Sequence, residues 1–198
     1  MGGPLEYSEI ISACPQYEHY REIEYFVETG TYKGDTVISL SNHFKELYTM
    51  EIVPELFNSS KNRADKAGIE NIRFLQGDSV QLLSNLPEHI NKGAVFFLDA
   101  HQSGQDTSNN GMHVPLLEEL DVILRRNLDP SLFVFDDTRF WKNHEKSAWD
   151  WEQVCIGTIL TKFLNAGFGI YSAFEKNDRF FVLTTHKNKN LGIKKNGN

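Results

Sequence analysis

Five short apolar runs, each closing on or beside an acid, punctuate residues 24–137 of this 198-residue chain. They read "EYFVE" at 24–28, "ELYTMEI" at 46–52, "IRFLQGD" at 72–78, "GAVFFLDA" at 93–100 and "SLFVFDD" at 131–137. Runs this short, rich in aromatic and β-branched residues, suit strands, and near-continuous apolarity suits strands buried on both faces of a parallel sheet. Between them lie helical stretches. "DTVISLSNHF" carries Val37, Ile38, Leu40 and Phe44 at helical spacing; "PELFNSSKNRADKAG" opens on Pro54 and stops at Gly68. "SVQLLSNLP" begins at Ser79, and "VPLLEELDVILRR" is amphipathic, with Glu118 and Glu119 expected on its solvated side, although either could reach back to the strand ends. A last helix is expected over "WEQVCIGTILTKFLNAG", closing at Gly167, before two strands joined by "KND" in "GIYSAFEKNDRFFVLTT".

Strands alternating with helices predict an α/β fold. The expected form is a Rossmann-like, doubly wound, mostly parallel seven-stranded sheet, with helices on both faces and an antiparallel edge hairpin. One domain over 1–185 is expected, opened by a helical or loop segment at 1–22. The Lys-rich end over 186–198 reads as a solvated, disordered tail.

The formal net charge of -7 argues against a nucleic-acid partner, whose phosphates favour a basic surface. Cys14 and Cys155 are far apart and lack metal-ligand spacing, so both read as reduced thiols. No apolar run reaches the roughly 18 residues of a membrane span, and no signal-peptide pattern opens the chain. A soluble, intracellular, cytoplasmic protein is expected, and the sequon at Asn58 reads as a chance match.

In open α/β sheets, ligands bind beyond the carboxyl ends of the strands. The first such end reads "ETGTYKG", 28–34. It is neither the GxGxxG of dinucleotide binders nor a Walker loop, which argues against a bound triphosphate. Gly30 and Gly34 allow close backbone approach to a ligand, and Asp35 or Thr36 can start the next helix. Glu51, about 20 residues further on, is placed to accept from a ribose diol. A purely structural turn is the competing reading; Glu51 and "GDS" at 77–79 favour a ligand.

At these residues the chain resembles the class I S-adenosylmethionine-dependent methyltransferases. "VETGTYKGDT", "YTMEI", "GDS" and "FFLDAH" look like that family's first four motifs, over about residues 24–140. The resemblance implies that Glu28 and Gly30 line the methionine part of the cofactor, with Thr29 and Thr31 supplying donors. Gly34, Asp35 and Thr36 complete the turn. Glu51 would hold the ribose hydroxyls and Ile52 would pack on adenine. Asp78 would receive the adenine amino group, flanked by Gly77 and Ser79, and Asp99 would close the site. The first motif departs from the family's usual form in having fewer glycines.

Asp99, Asp136 and Asp137 form a second constellation, since neighbouring strands bring their ends together. Three carboxylates repel unless protonated or neutralised by a cation, and oxygen ligands suit Mg²⁺, Mn²⁺ or Ca²⁺. "LDAHQSG" and "DDTR" resemble metal-dependent O-methyltransferases acting on sugars or catechols. That resemblance implies a divalent ion, Mg²⁺ or Mn²⁺, on Asp99, Asp136 and Asp137. The competing reading has one Asp capping a helix and another pairing with Arg139. His101 is the candidate general base, beside Asp99, although it could instead orient the acceptor or ligate the metal. His113 and His144 are weaker candidates. Gln102, Ser103, Arg139 and Trp141 are the expected acceptor contacts; Trp141 could equally bury the next helix, and Trp151 is expected in the core.

The expected activity is S-adenosylmethionine-dependent O-methylation of a sugar or glycan hydroxyl, assisted by a divalent metal. A catechol-type small-molecule acceptor and a non-catalytic nucleotide-binding module are the alternatives. A small-molecule or glycan acceptor is the expected partner. Homodimerisation, or membership of a larger glycan-modifying protein, is left open.

Overall fold

The computed structural model describes residues 3–14, 22–100, 114–142 and 150–187. Its frame is a seven-stranded sheet in the order β3-β2-β1-β4-β5-β7-β6. The strands are β1 Tyr25–Thr29, β2 Glu46–Glu51, β3 Ile72–Gln76, β4 Ala94–Leu98, β5 Leu132–Phe135, β6 Phe168–Lys176 and β7 Arg179–Lys187. β1 to β5 pair in parallel, whereas β7 runs antiparallel to both β5 and β6. Every residue of β1, β4 and β5 is buried, as their unbroken apolar runs require of central strands.

Helices cover both faces. α1 (Tyr7–Ala13), α2 (Asp35–Leu40) and α3 (Pro54–Lys66) lie on one; Leu5, Ile10, Val37, Leu40 and Ala64 join Phe26, Phe97 and Val134 in that core. α4 (Ser79–Ser84), α5 (Leu116–Leu124) and α7 (Ile156–Asn165) cover the other, packing Leu83, Leu120, Ile123 and Phe163 on Val27, Phe96 and Phe133. The fold therefore has the expected architecture, and β3 has the expected ends.

Three local expectations give way. The helix expected from Trp151 starts only at Ile156, where the Cys155 thiol accepts from the Thr158 N–H at 3.4 Å. Upstream, Trp151 is stacked on Phe140 with ring centroids 5.6 Å apart, and Val154 is buried in a turn closed onto Trp151. Tertiary packing thus overrides helical periodicity there. β7 runs to Lys187, past the expected limit at 185, and Lys187 Nζ donates to the carbonyls of Leu124 and Arg126 at the end of α5. The short helix α6, Thr138–Lys142, has too few residues to show a period. The β6–β7 turn starts it: Asp178 O accepts from the Thr138 N–H at 3.0 Å, and its carboxylate accepts from the Arg139 N–H at 2.7 Å. Asn177 and Asp178 both have positive φ, the pattern of a tight type I′ hairpin.

Candidate functional site

The parallel register brings the ends of β1, β2, β4 and β5 to one rim: Thr29 pairs with Met50 and Leu98, and Leu98 with Phe135. The turn after β1 is held from below. Gly30 and Thr31 both donate to Met50 O at 3.0 Å, and Gly34 donates to Thr31 O at 2.8 Å. Gly30 has φ +79°, and a Cβ there would stand 2.5 Å from Asp99 O, so no larger residue fits. Gly34, also at φ 79°, caps α2.

Two hydrogen-bonded chains run behind this turn. In one, Glu28 accepts from the Thr49 hydroxyl at 2.6 Å, and Thr49 meets Thr31 Oγ1 at 2.5 Å. In the other, Glu119 accepts from Ser79 Oγ at 2.5 Å and Thr29 Oγ1 at 3.2 Å, while Thr29 Oγ1 accepts from the Asp99 N–H at 3.3 Å. Burial pushes both Glu28 and Glu119 up to about 8, against the hydroxyl bonds that favour the charged forms. Glu119 is 0% exposed, so the expected solvated role is overturned. Charge alone pointed outward. The signal available in the sequence was its position between Leu116, Leu120 and Ile123 on the apolar face of α5.

Glu51 stands at the end of β2, its carboxylate accepting from the N–H groups of Tyr32 at 2.8 Å and Val53 at 2.9 Å. The backbone N–H of Ile52 also favours the charged form, and since a carboxylate offers about four lone-pair sites, one remains for a ribose hydroxyl. Burial raises its pKa, opposed by those backbone donors. Ile52 follows, half-buried. Gly77 donates to Glu51 O at 2.9 Å, and Asp78 caps α4 by accepting from the Gln81 N–H at 3.0 Å. Glu28, Thr29, Gly30, Thr31, Glu51, Gly77, Asp78, Ser79 and Asp99 are thus joined by direct bonds or register. Asp35 and Thr36 face other duties: Asp35 pairs with Arg63 at 2.8 Å, and the Thr36 hydroxyl accepts from the Leu5 N–H at 3.2 Å.

The acids of β4 and β5 do converge. Asp99 is raised well above the ordinary carboxylate range by burial, then by Asp136, Asp137 and Glu28, with Arg179 opposing. Yet their compensating charges come from the protein. Arg179 Nε lies 3.3 Å from Asp136 Oδ1, and the same buried guanidinium binds Glu9 of α1 at 2.7 Å. Asp137, at φ 63°, forms an ion pair with Arg139, which also binds Asp178. The arginine-pairing alternative therefore describes Asp137. Among the described residues, no group of three or more His, Cys, Asp or Glu is arranged to hold a metal ion. With arginines at both Asp136 and Asp137, these residues do not fit the expected divalent ion.

Trp141 is in the core, not on an acceptor surface: it is 7% exposed and packs edge-on against Phe135 and Phe180. Arg139 stays partly exposed beside Asp137, its guanidinium over the Phe140 ring at 4.4 Å. His101, Gln102, Ser103, His113 and His144 lie outside the described residues, as does the tail from 188. No described helix is long and apolar enough to cross a membrane.

The sheet order and strand directions are those of the Rossmann-like fold found in S-adenosylmethionine-dependent methyltransferases. O-Methyltransferase TomG of Streptomyces achromogenes, involved in tomaymycin synthesis and solved with S-adenosylmethionine, superposes with a TM-score of 0.61 over 91% of this chain and 81% of its own, at 14% identity. A SAM-dependent methyltransferase of Aquifex aeolicus gives a TM-score of 0.58 over 89% of this chain and 87% of its own, also at 14% identity. No protein-family model matches the chain. In sequence, an uncharacterized RNA methyltransferase of Clostridium acetobutylicum is 32% identical over 110 residues, 53% of this chain and 23% of that protein. A protein-L-isoaspartate O-methyltransferase of Myxococcus xanthus is 40% identical over 55 residues, 28% of this chain and 26% of that protein. The chain thus spans about a quarter of the length of these relatives.

Proposed function

We propose that the chain binds S-adenosylmethionine across the ends of β1, β2 and β3 and methylates an acceptor hydroxyl at the ends of β4 and β5. The observation that carries this reading is the glycine turn pressed against Asp99, with the Glu51 carboxylate held at its flank by the backbone N–H groups of Tyr32 and Val53. When bound, the cofactor supplies a sulfonium-activated methyl, which the acceptor oxygen takes in line as the carbon–sulfur bond breaks. Glu51 takes a ribose hydroxyl, and Asp78 the adenine amino group. His101 takes the acceptor proton, while Asp99, raised well above the ordinary carboxylate range by burial and by Asp136, Asp137 and Glu28, serves as an orienting group.

The O-methyltransferase names of TomG and of the Myxococcus protein support an oxygen acceptor, although the name of the second points to a carboxylate oxygen rather than a hydroxyl. A sugar or other small polyol remains the reading for the acceptor class, now without stacking on Trp141. A second reading has RNA as acceptor, favoured by the names of two clostridial relatives and opposed by the net charge of -7. Calorimetry with S-adenosylhomocysteine tests the cofactor site: no binding at high micromolar concentration leaves the non-catalytic module. Transfer of labelled methyl to a sugar panel and to unmodified RNA then separates the acceptors; labelling of RNA alone would discard the hydroxyl small-molecule reading.

A further inference from the structure

We infer that Glu119 is a positioning residue of the cofactor pocket, clamping the turn after β1 to the start of α4 through one buried carboxyl. This rests on the S-adenosylmethionine reading above. The two segments it joins are the ones that would touch opposite ends of that ligand: Thr29 immediately precedes Gly30, and Ser79 immediately follows Asp78. Glu119 Oε2 meets Thr29 Oγ1 at 3.2 Å and Oε1 meets Ser79 Oγ at 2.5 Å. Thr29 Oγ1 passes the constraint on to the Asp99 N–H at 3.3 Å. One side chain from α5 therefore sets the spacing of β1, α4 and β4 at the rim.

Packing alone does not explain an acid here. Glu119 lies on the face of α5 that buries Leu116, Leu120 and Ile123, where a leucine would fill space without the desolvation that a carboxyl suffers. Burial, with Asp78 and Glu118 nearby, pushes it up to about 8. Both hydroxyls donate to the carboxyl, and a glutamine amide of the same shape keeps one acceptor oxygen and turns its NH₂ to the lone pairs of the other hydroxyl.

The test measures S-adenosylhomocysteine affinity by calorimetry and ligand-free thermal unfolding for the wild-type chain, Glu119→Gln, Glu119→Leu and Ser79→Ala. Glu119→Leu is expected to melt at or above the wild-type temperature yet bind at least about tenfold more weakly, the loss of roughly one charged or well-placed hydrogen bond. Glu119→Gln is expected to bind within about threefold of wild type, a difference below one hydrogen bond. Ser79→Ala, which spares the core, is expected to weaken binding about threefold or more. Wild-type affinity in Glu119→Leu, or in Ser79→Ala should the leucine variant not fold, overturns the inference. A wild-type chain that binds no S-adenosylhomocysteine instead removes the cofactor reading itself.

Discussion

The backbone carbonyl of Asp99 closes onto Gly30 so tightly that a Cβ on the glycine would stand 2.5 Å from the oxygen. The end of β4 thus forms one wall of the turn after β1, and the chain at 30 must be both left-handed and bare. Gly30→Ala forces either the turn or β4 to move. It is expected to cost about 1–3 kcal/mol in urea unfolding, the range for a strained backbone position, and to abolish detectable S-adenosylhomocysteine binding. Retained affinity would show that the ligand does not approach this turn.

Glu51 is held by the backbone N–H groups of Tyr32 and Val53, with that of Ile52 also favouring its charge, and keeps room for a ligand hydroxyl. Glu51→Ala removes the acceptor for the ribose hydroxyl and frees the N–H groups of Tyr32 and Val53. Affinity for S-adenosylhomocysteine is expected to fall by about 2 kcal/mol, roughly thirtyfold, as for lost bonds to a charged group. Adenine alone should bind both proteins equally; an equal loss for adenine would point to a general collapse of the pocket.

Arg179 is a buried cation between Asp136 and Glu9, 4% exposed at its side chain. Arg179→Met leaves Asp136 buried and Glu9 half-buried without that charge. Destabilisation of about 3–5 kcal/mol is expected by chemical denaturation, the cost of breaking a buried pair on one side. Arg179→Met with Asp136→Asn should recover part of it, which a double-mutant cycle reads directly.

Glu28 and Glu119 each lose a proton near pH 4.5 when unfolded but hold it to about 8 when folded. Between those values the folded chain carries more protons, so stability falls as pH rises, by about 1.4 kcal/mol per pH unit for each group. The ligand-free melting temperature is expected to be higher near pH 6 than near pH 8. Glu28→Gln and Glu119→Gln should each flatten the slope. A melting temperature that rises through this interval would contradict the burial assigned to these carboxyls.

The two arginines at the β5 acids predict indifference to chelators. Methyl transfer, once an acceptor is found, is expected to keep its rate in EDTA and to gain nothing from Mg²⁺ or Mn²⁺. Activity restored only by a divalent ion would show that a cation displaces Arg139 or Arg179.

The sheet was legible because burial leaves its mark on composition. "AVFFL" and "LFVF" lie inside on both faces, and their acids fall where the strands stop. The charge partners were not legible. Arg179 looked like any residue of an edge strand, and only the order β5-β7-β6 brings it beside Asp136. Arg139 was visible as a competing partner for one acid, but without Arg179 the three acids still suggested a metal. Glu119 and Trp141 were misjudged for a common reason: charge and aromaticity indicate what a side chain can do, while the helix face decides whether it meets solvent.

Arg179 has a further bearing on biosynthesis. It binds Glu9, 170 positions earlier, and Asp136 through one guanidinium. A nascent polypeptide emerges from the ribosome with both acids long before their shared counterion is translated. Until β7 is extruded, the half-made sheet holds unbalanced charge at the rim and an open margin along β5. The rim at the ends of β4 and β5 therefore gains its shared counterion only once β7 is in place, and a fragment released before residue 179 would leave Asp136 without it.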